Sequence, residues 1–243
     1  MDPLTVTNAQ GDFEISYTGT SPAMLVEVEG RGYAPKFAKL ATGSTRTKLV
    51  VSDGATIRGI LTANGKPVGN AEVGLIAKDR GGYQDKLTIV GFPYEEQRVG
   101  TGPDGSFLIT NVPEPVTWLL YGKMTSMPKG EGTQPVEVRT NQEKQFLDKV
   151  QLVADPAHTI TGKLTLSDGH PIPEGMRLTL GSDRVWDTQT VTLNREGSFE
   201  IKNIPNGDFC ISPSVKGYEA KSVSNSNCDV PIKIVGEDKG MSK

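Results

Sequence analysis

Two histidines, His158 and His170, and two cysteines, Cys210 and Cys228, are the whole supply of nitrogen and sulfur metal ligands in the 243 residues. A zinc site needs several such groups converging, and neither Cys-x-x-Cys nor His-x-x-x-His spacing occurs. Asp104-Gly105 and Asp168-Gly169 read as turn residues, because no Asp-x-Asp-x-Asp-Gly calcium loop surrounds them. No Gly-x-Ser-x-Gly is present; Ser126-Met127-Pro128-Lys129 spells Ser-x-x-Lys, but Pro128 and Gly130 place it in a loop, and its partner motif Lys-Thr-Gly is missing. Gly100-Thr101-Gly102-Pro103-Asp104-Gly105 is glycine-rich, yet it leads into a strand, so it lacks the helix N-terminus that holds a phosphate. Glu95-Glu96, Asp183 and Asp187 read as isolated loop charges on a solvated surface. The expectation is a protein with no catalytic residues, no cofactor and no metal. A bridge between Cys210 and Cys228, 18 residues apart, is sterically feasible; a free Cys210 packed as a small hydrophobe is the simpler reading.

What remains for chemistry is a binding surface. Tyr83, Phe92, Tyr94, Trp118 and Trp186 fall outside the repeating apolar pattern described below. The segment from Asp79 to Tyr94 is an insertion; its shorter counterpart, Gly181 to Asp187, carries Trp186. Long loops on a rigid scaffold carry function disproportionately, and exposed aromatics stack on sugars or anchor a protein partner. Tyr83, Phe92, Tyr94 and Trp186 are therefore the candidate ligand-binding residues, against the alternative that these rings merely close the open end of a β-sandwich.

The elements that would position such loops come from an internal repeat. Gly11-Asp12-Phe13-Glu14-Ile15 returns as Gly105-Ser106-Phe107-Leu108-Ile109 and as Gly197-Ser198-Phe199-Glu200-Ile201, at intervals of 94 and 92 residues. A polar turn precedes each copy, which reads as a hairpin running into the Phe strand. Asn111-Val112-Pro113 then matches Asn203-Ile204-Pro205, and a strand follows at Ala23 to Val28, Val116 to Tyr121 and Phe209 to Val215. Gly32-Tyr33 matches Gly217-Tyr218; the second copy has Lys123-Met124-Thr125-Ser126 there. Upstream of the Phe, only the last two copies match: Ile57-Arg58-Gly59-Ile60-Leu61 with Ile160-Thr161-Gly162-Lys163-Leu164, Asn64-Gly65-Lys66-Pro67-Val68 with Asp168-Gly169-His170-Pro171-Ile172, and Ala71 to Leu75 with Met176 to Leu180. The flanking segments alternate with period two, as half-buried strands do. No segment of helix length shows helical periodicity. The chain is predicted to be all-β, as modules 1–52, 53–153 and 154–243, each complete module a two-sheet antiparallel sandwich of about seven short strands. The core falls on Ile57, Ile60, Val73, Leu75, Phe107, Ile109, Leu119 and Val150 in the second module. In the third it falls on Ile160, Leu164, Leu178, Leu180, Phe199, Ile201, Phe209, Ile211 and Ile232.

The order Ile-x-Gly-x-Leu, Gly-x-Pro-Val, Ala-x-Val-x-Leu, Asp-Gly-Ser-Phe-x-Ile, Val-Pro resembles the carboxypeptidase regulatory-like repeat, over Ala55–Leu152 and His158–Val235 and from about Thr5 in the first module. That resemblance implies prealbumin-like or Cna-B-like, immunoglobulin-type sandwiches that space or present other domains of secreted or surface proteins. Some Cna-B-like modules carry a Lys–Asn cross-link helped by a buried acid; here Arg58 and Lys163 occupy the lysine position, and no buried acid is evident from the pattern.

The first module lacks the two opening strands. Truncation of a longer chain at Met1 is the first reading; filling of the gap by a neighbouring module or another molecule is the second. A net charge of −3 with both signs interspersed gives no basic face for nucleic acid. No apolar run approaches membrane-spanning length, and MDPLTVTNAQ has no signal-peptide character. The expected partner is a protein or a glycan, and the expected setting a larger extracytoplasmic polypeptide.

Overall fold

The computed structural model describes residues 4–16, 18–43, 46–78, 95–141, 144–182 and 184–214, and the backbone of 230–234. Within them the chain forms strands and one 3-10 turn, Met124–Ser126. The first repeat contributes β1 (Ala23–Val28) and β2 (Lys36–Ala41), an antiparallel pair. The second contributes β3 (Ala55–Ala63), β4 (Lys66–Pro67), β5 (Glu72–Ala77), β6 (Gln97–Gly100), β7 (Ser106–Val112), β8 (Val116–Gly122), β9 (Glu131–Thr133), β10 (Val136–Thr140) and β11 (Phe146–Pro156). The third contributes β12 (His158–Lys163), β13 (Arg177–Ser182), β14 (Thr188–Thr192), β15 (Ser198–Ile204), β16 (Gly207–Ser214) and β17 (Val230–Ile234).

The second repeat is a sandwich of two sheets, ordered β10-β8-β5-β6 and β4-β3-β11-β9, with β7 also paired to β3. The third repeats the plan with β14-β13-β16-β17 and β12-β15. Alternation puts Ile57, Val73, Leu75, Phe107, Ile109, Trp118, Leu120 and Leu152 in the second core, and Leu178, Leu180, Ile201, Ile204, Phe209 and Ile211 in the third. Asn64 and Gly65, both with positive φ, make the two-residue β3–β4 turn, as an Asn-Gly pair should.

Several expectations need correction. The sheets are not wholly antiparallel: β11 runs parallel to β3. The turn before the repeated Phe is not a hairpin. β6 pairs with β5 in one sheet and β7 with β3 in the other, so Gly102–Gly105 carries the chain across the sandwich, and β14 to β15 does the same. Trp118 is not outside the core; it is fully buried, and its indole N–H donates to Thr140 Oγ1 at 3.1 Å and to the Pro113 carbonyl at 3.3 Å. Ile60 is only half-buried, and Leu119 packs into a separate cluster on the other face of its sheet. Val150, Ile160, Leu164 and Phe199 are partly buried against their cores. The Ile232 side chain lies outside the described residues. In the first repeat Phe13 and Ile15 are half-buried and belong to no strand. Cys210 is disulfide-bonded, not free; Cys228 lies outside the described residues.

Candidate functional site

Of the four aromatic candidates, Tyr83, Phe92 and Tyr94 lie outside the described residues. Trp186 sits in the β13–β14 loop with 49% of its surface exposed, while its carbonyl accepts a hydrogen bond from Lys123 Nζ at 2.6 Å. The structure therefore directs attention to the seam where that loop meets the end of β8.

Glu96, Tyr121 and Lys123 of the second repeat converge there with Asp187 of the third. Lys123 and Asp187 are 5% and 3% exposed. Lys123 Nζ lies 3.0 Å from Glu96 Oε1 and 3.7 Å from Asp187 Oδ1. Tyr121 donates its phenol proton to Glu96 Oε1, and Arg98 Nε donates to Oε2. Asp187 Oδ2 accepts the Met124 backbone N–H at 2.9 Å, whereas Oδ1 has no hydrogen-bond partner. Burial pushes Asp187 up to about 6, against the Met124 N–H and the Lys123 charge, which pull it down. Burial also acts to raise Glu96, but the hydrogen bonds from Tyr121, Lys123 and Arg98 outweigh it and hold the carboxyl below its usual range. Burial, then the bond to Glu96, raises Tyr121. The solvated-surface reading of Glu96 and Asp187, and the absence of a buried acid, are thus overturned: two turns that look polar in sequence are pressed together by tertiary contact.

Arg58 and Lys163, the positions examined for a cross-link, are exposed, and Arg58 forms a two-pronged pair with Asp148 at 2.8 Å. Ser126 Oγ accepts the Glu72 N–H at 2.8 Å while Lys129 is exposed, so the Ser-x-x-Lys string assembles no base. Among the described residues no group of three His, Cys, Asp or Glu side chains is placed to hold a metal ion.

A second set of contacts surrounds the ionic cluster. The Asn of each Asn-x-Pro motif has left-handed backbone, φ 56° at Asn111 and 60° at Asn203. Asn203 Nδ2 donates to the carbonyls of Met124 at 3.3 Å and Met127 at 3.0 Å, and its Oδ1 accepts the Gly130 N–H at 2.8 Å. Asn111 Nδ2 donates to the carbonyls of Gly32 at 2.8 Å and Asp53 at 3.0 Å. In both cases the loop that follows the matching strand of the preceding repeat supplies an acceptor, Met124 and Met127 for Asn203 and Gly32 for Asn111, whereas Asp53 begins Asn111's own repeat. Apolar contact adds to this: Met124 packs within the third repeat's core, and Val185 packs against Ile76, Leu119 and Tyr121. The adjoining cleft encloses about 20 Å³ between Gly122, Thr133, Val185, Asp187 and Phe209, room for about one water molecule. The arrangement can lock two repeats together.

Sequence reading missed Glu96, Tyr121, Lys123 and Asp187 as a group. One signal was available. Leu75-Ile76 and Leu119-Leu120-Tyr121 break the alternation, and a strand buried on both faces reads as a continuous apolar run.

No protein-family model matches the sequence, and no curated protein matches it. Solved structures do. A streptococcal ancillary pilin covers 96% of this chain and 77% of its own at 13% identity, TM-score 0.30. The full-length major pilin SpaD from Corynebacterium diphtheriae covers 65% and 60% at 14% identity, TM-score 0.31. A DUF3823 family protein from Parabacteroides merdae covers 61% and 79% at 15% identity, TM-score 0.29. These similarities assign no activity to the chain.

Proposed function

We propose that the chain is a non-catalytic spacer of carboxypeptidase regulatory-like type, divided at 52/53 and 153/154, that holds other parts of a larger extracytoplasmic protein at fixed separation. The observation that carries this is the pair of matching latches, Asn111 to Gly32 and Asn203 to Met124 and Met127, each tying its own repeat to a loop of the one before. A spacer needs joints that do not bend, and a side chain donating to a carbonyl across a joint stiffens it. The ionic cluster is buried among the described residues, which supports a structural role. The disulfide at Cys210 supports an oxidising compartment. No described helix is long and apolar enough to cross a membrane.

The test is backbone 15N relaxation. Residues 55–156 and 158–214 are expected to report one correlation time in the native chain and two in Asn203→Gly, which keeps the backbone conformation but removes the latch. Independent tumbling in the native chain would sink the spacer reading. The exposed Trp186 ring favours a second reading, a carbohydrate- or peptide-binding face. Under it, Trp186→Ala loses binding on a glycan or peptide array while Tm holds; under the spacer reading the array is blank for both proteins.

A further inference from the structure

The ionic cluster at the seam is shared unequally between the repeats. Glu96, Arg98, Tyr121 and Lys123 stand on the second repeat, and Asp187 comes from the β13–β14 loop of the third. If the seam opens, the first four keep one another. The Tyr121 phenol and Lys123 Nζ remain on Glu96 Oε1, and Arg98 Nε remains on Oε2. Asp187 parts from them all and enters water.

The two charges that meet across the seam are unequally satisfied as well. Lys123 Nζ lies 3.0 Å from Glu96 Oε1 and donates to the Trp186 carbonyl at 2.6 Å, so it has partners whether or not Asp187 is charged. Asp187 has the Met124 N–H at 2.9 Å on Oδ2, while the lysine nitrogen stands 3.7 Å from Oδ1, beyond ordinary hydrogen-bond length. An ionised carboxylate so bonded is costly to bury. Two other charged groups line the adjoining cleft, Arg184 of the same loop and Asp208 at the start of β16; both are exposed, where solvent and salt screen them. Burial pushes Asp187 up to about 6 from 3.8 with Glu96 adding to the rise, against the Met124 N–H and the Lys123 charge. In an open seam these influences end, and the carboxyl returns toward its ordinary range.

We propose that the joint between the second and third repeats is tightened by acid: a proton taken up at Asp187 holds the β13–β14 loop against the end of β8, and its loss lets the loop lift while the second repeat stays folded. The sign follows from linkage. The closed joint binds this proton more tightly than the open one, so closure gains as pH falls from about 6 toward 3.8 and loses as pH rises through about 6. Between those values the opening equilibrium changes by up to about tenfold per pH unit, and above them it levels off. Glu96 keeps the partners that hold its carboxyl low, so the pH dependence of the joint belongs to Asp187. The inference rests on the spacer reading, which requires a closed joint, and adds a control over that joint.

Two neighbouring amides read the joint and the repeat separately. The Met124 N–H donates across the seam to Asp187 Oδ2, whereas the Lys123 N–H donates to the Glu72 carbonyl of its own repeat at 2.9 Å. Gly130, whose N–H donates to Asn203 Oδ1, reports on the joint away from the carboxyl. The experiment is hydrogen exchange of the full chain as a function of pH, corrected for intrinsic exchange rates. Protection of Met124 and Gly130 is expected to fall about tenfold or more between about pH 4.5 and about pH 7 and then level off, with Lys123 unchanged. In Asp187→Asn, which keeps an oxygen for the Met124 N–H and has nothing to titrate, both profiles are expected to be flat. Protection that ignores pH in the native chain, or that changes equally in Asp187→Asn, overturns the proposal. A parallel change at Lys123 does so too, because it places the titration in the folding of the repeat. Should the variant not fold, the native chain decides: an Asp187 carboxyl carbon whose chemical shift titrates in the ordinary carboxylate range also overturns it. Repeats that tumble independently at every pH sink the spacer reading and this inference with it; a closed joint indifferent to pH sinks this inference alone.

Discussion

Asp187 is held where a carboxylate is costly, almost without solvent, with one oxygen on the Met124 N–H and the other without a hydrogen bond. Lys123 keeps it charged at neutral pH, yet burial raises it to about 6 from 3.8. A folded chain that holds this proton more tightly than the unfolded chain gains stability as pH falls between those values and loses it as pH rises through about 6. Glu96 has the opposite sign: its carboxyl is held below 4.5, so its contribution disappears as pH falls through its lowered value. Thermal melts are expected to show Tm rising from pH 7 to about pH 5 and falling below about pH 4. In Asp187→Asn the rising limb is expected to flatten while the acid limb stays; an unchanged profile would mean that Asp187 does not titrate in the folded state as its burial requires.

Elements are set by how each residue meets the next strand. Gly59 and Gly162 both lie under a phenyl ring, but their surroundings differ. A Cβ on Gly59 would also stand 2.3 Å from the Val150 carbonyl of β11, whereas the three atoms nearest a Cβ on Gly162 all belong to the Phe199 ring. Backbone on the parallel neighbour cannot swing away as a ring can. Gly59→Ala is therefore expected to cost about 3 kcal/mol in urea unfolding and Gly162→Ala about 1 kcal/mol; equal costs would show that β11 yields. Met124 makes the matching point about loops. It belongs to the second repeat by sequence and to the third repeat's core by packing, so Met124→Ala is expected to cost about 2–4 kcal/mol. The loss should appear as faster exchange in β13 and β16 rather than in β3 and β5.

At the scale of the molecule, each joint is made by residues from two repeats that are far apart in sequence. Gln134 Nε2 donates to the Asn206 carbonyl at 2.7 Å, and the Ala157 N–H to the Gly130 carbonyl at 2.8 Å. With the Asn203 latch, these contacts place the ends of β8 and β9 on the start of the third repeat. If the joints are rigid, force or heat applied to the chain should unfold the second and third repeats together. A single calorimetric transition covering both, with the ratio of van't Hoff to calorimetric enthalpy near one, is the expected result. Two resolved transitions in the native chain would show that the joint is weaker than its contacts imply.

The alternation, the repeated Gly-x-Phe and the Asn-Gly and Asp-Gly turns were enough to read strands, repeats and most core positions, because each depends on neighbours within a few residues. What a strand pairs with is another matter. The parallel β3–β11 pair, the crossing from β6 to β7, the burial of Trp118 and the meeting of Lys123 with Asp187 all depend on residues brought together across 60 or more positions or between sheets. The second repeat's departure from Gly-Tyr at Lys123–Ser126 was legible, but not its reason: Lys123 and Met124 are there for the next repeat. A charge's burial is decided by what docks over it, and docking is a property of two surfaces, neither of which a local pattern contains.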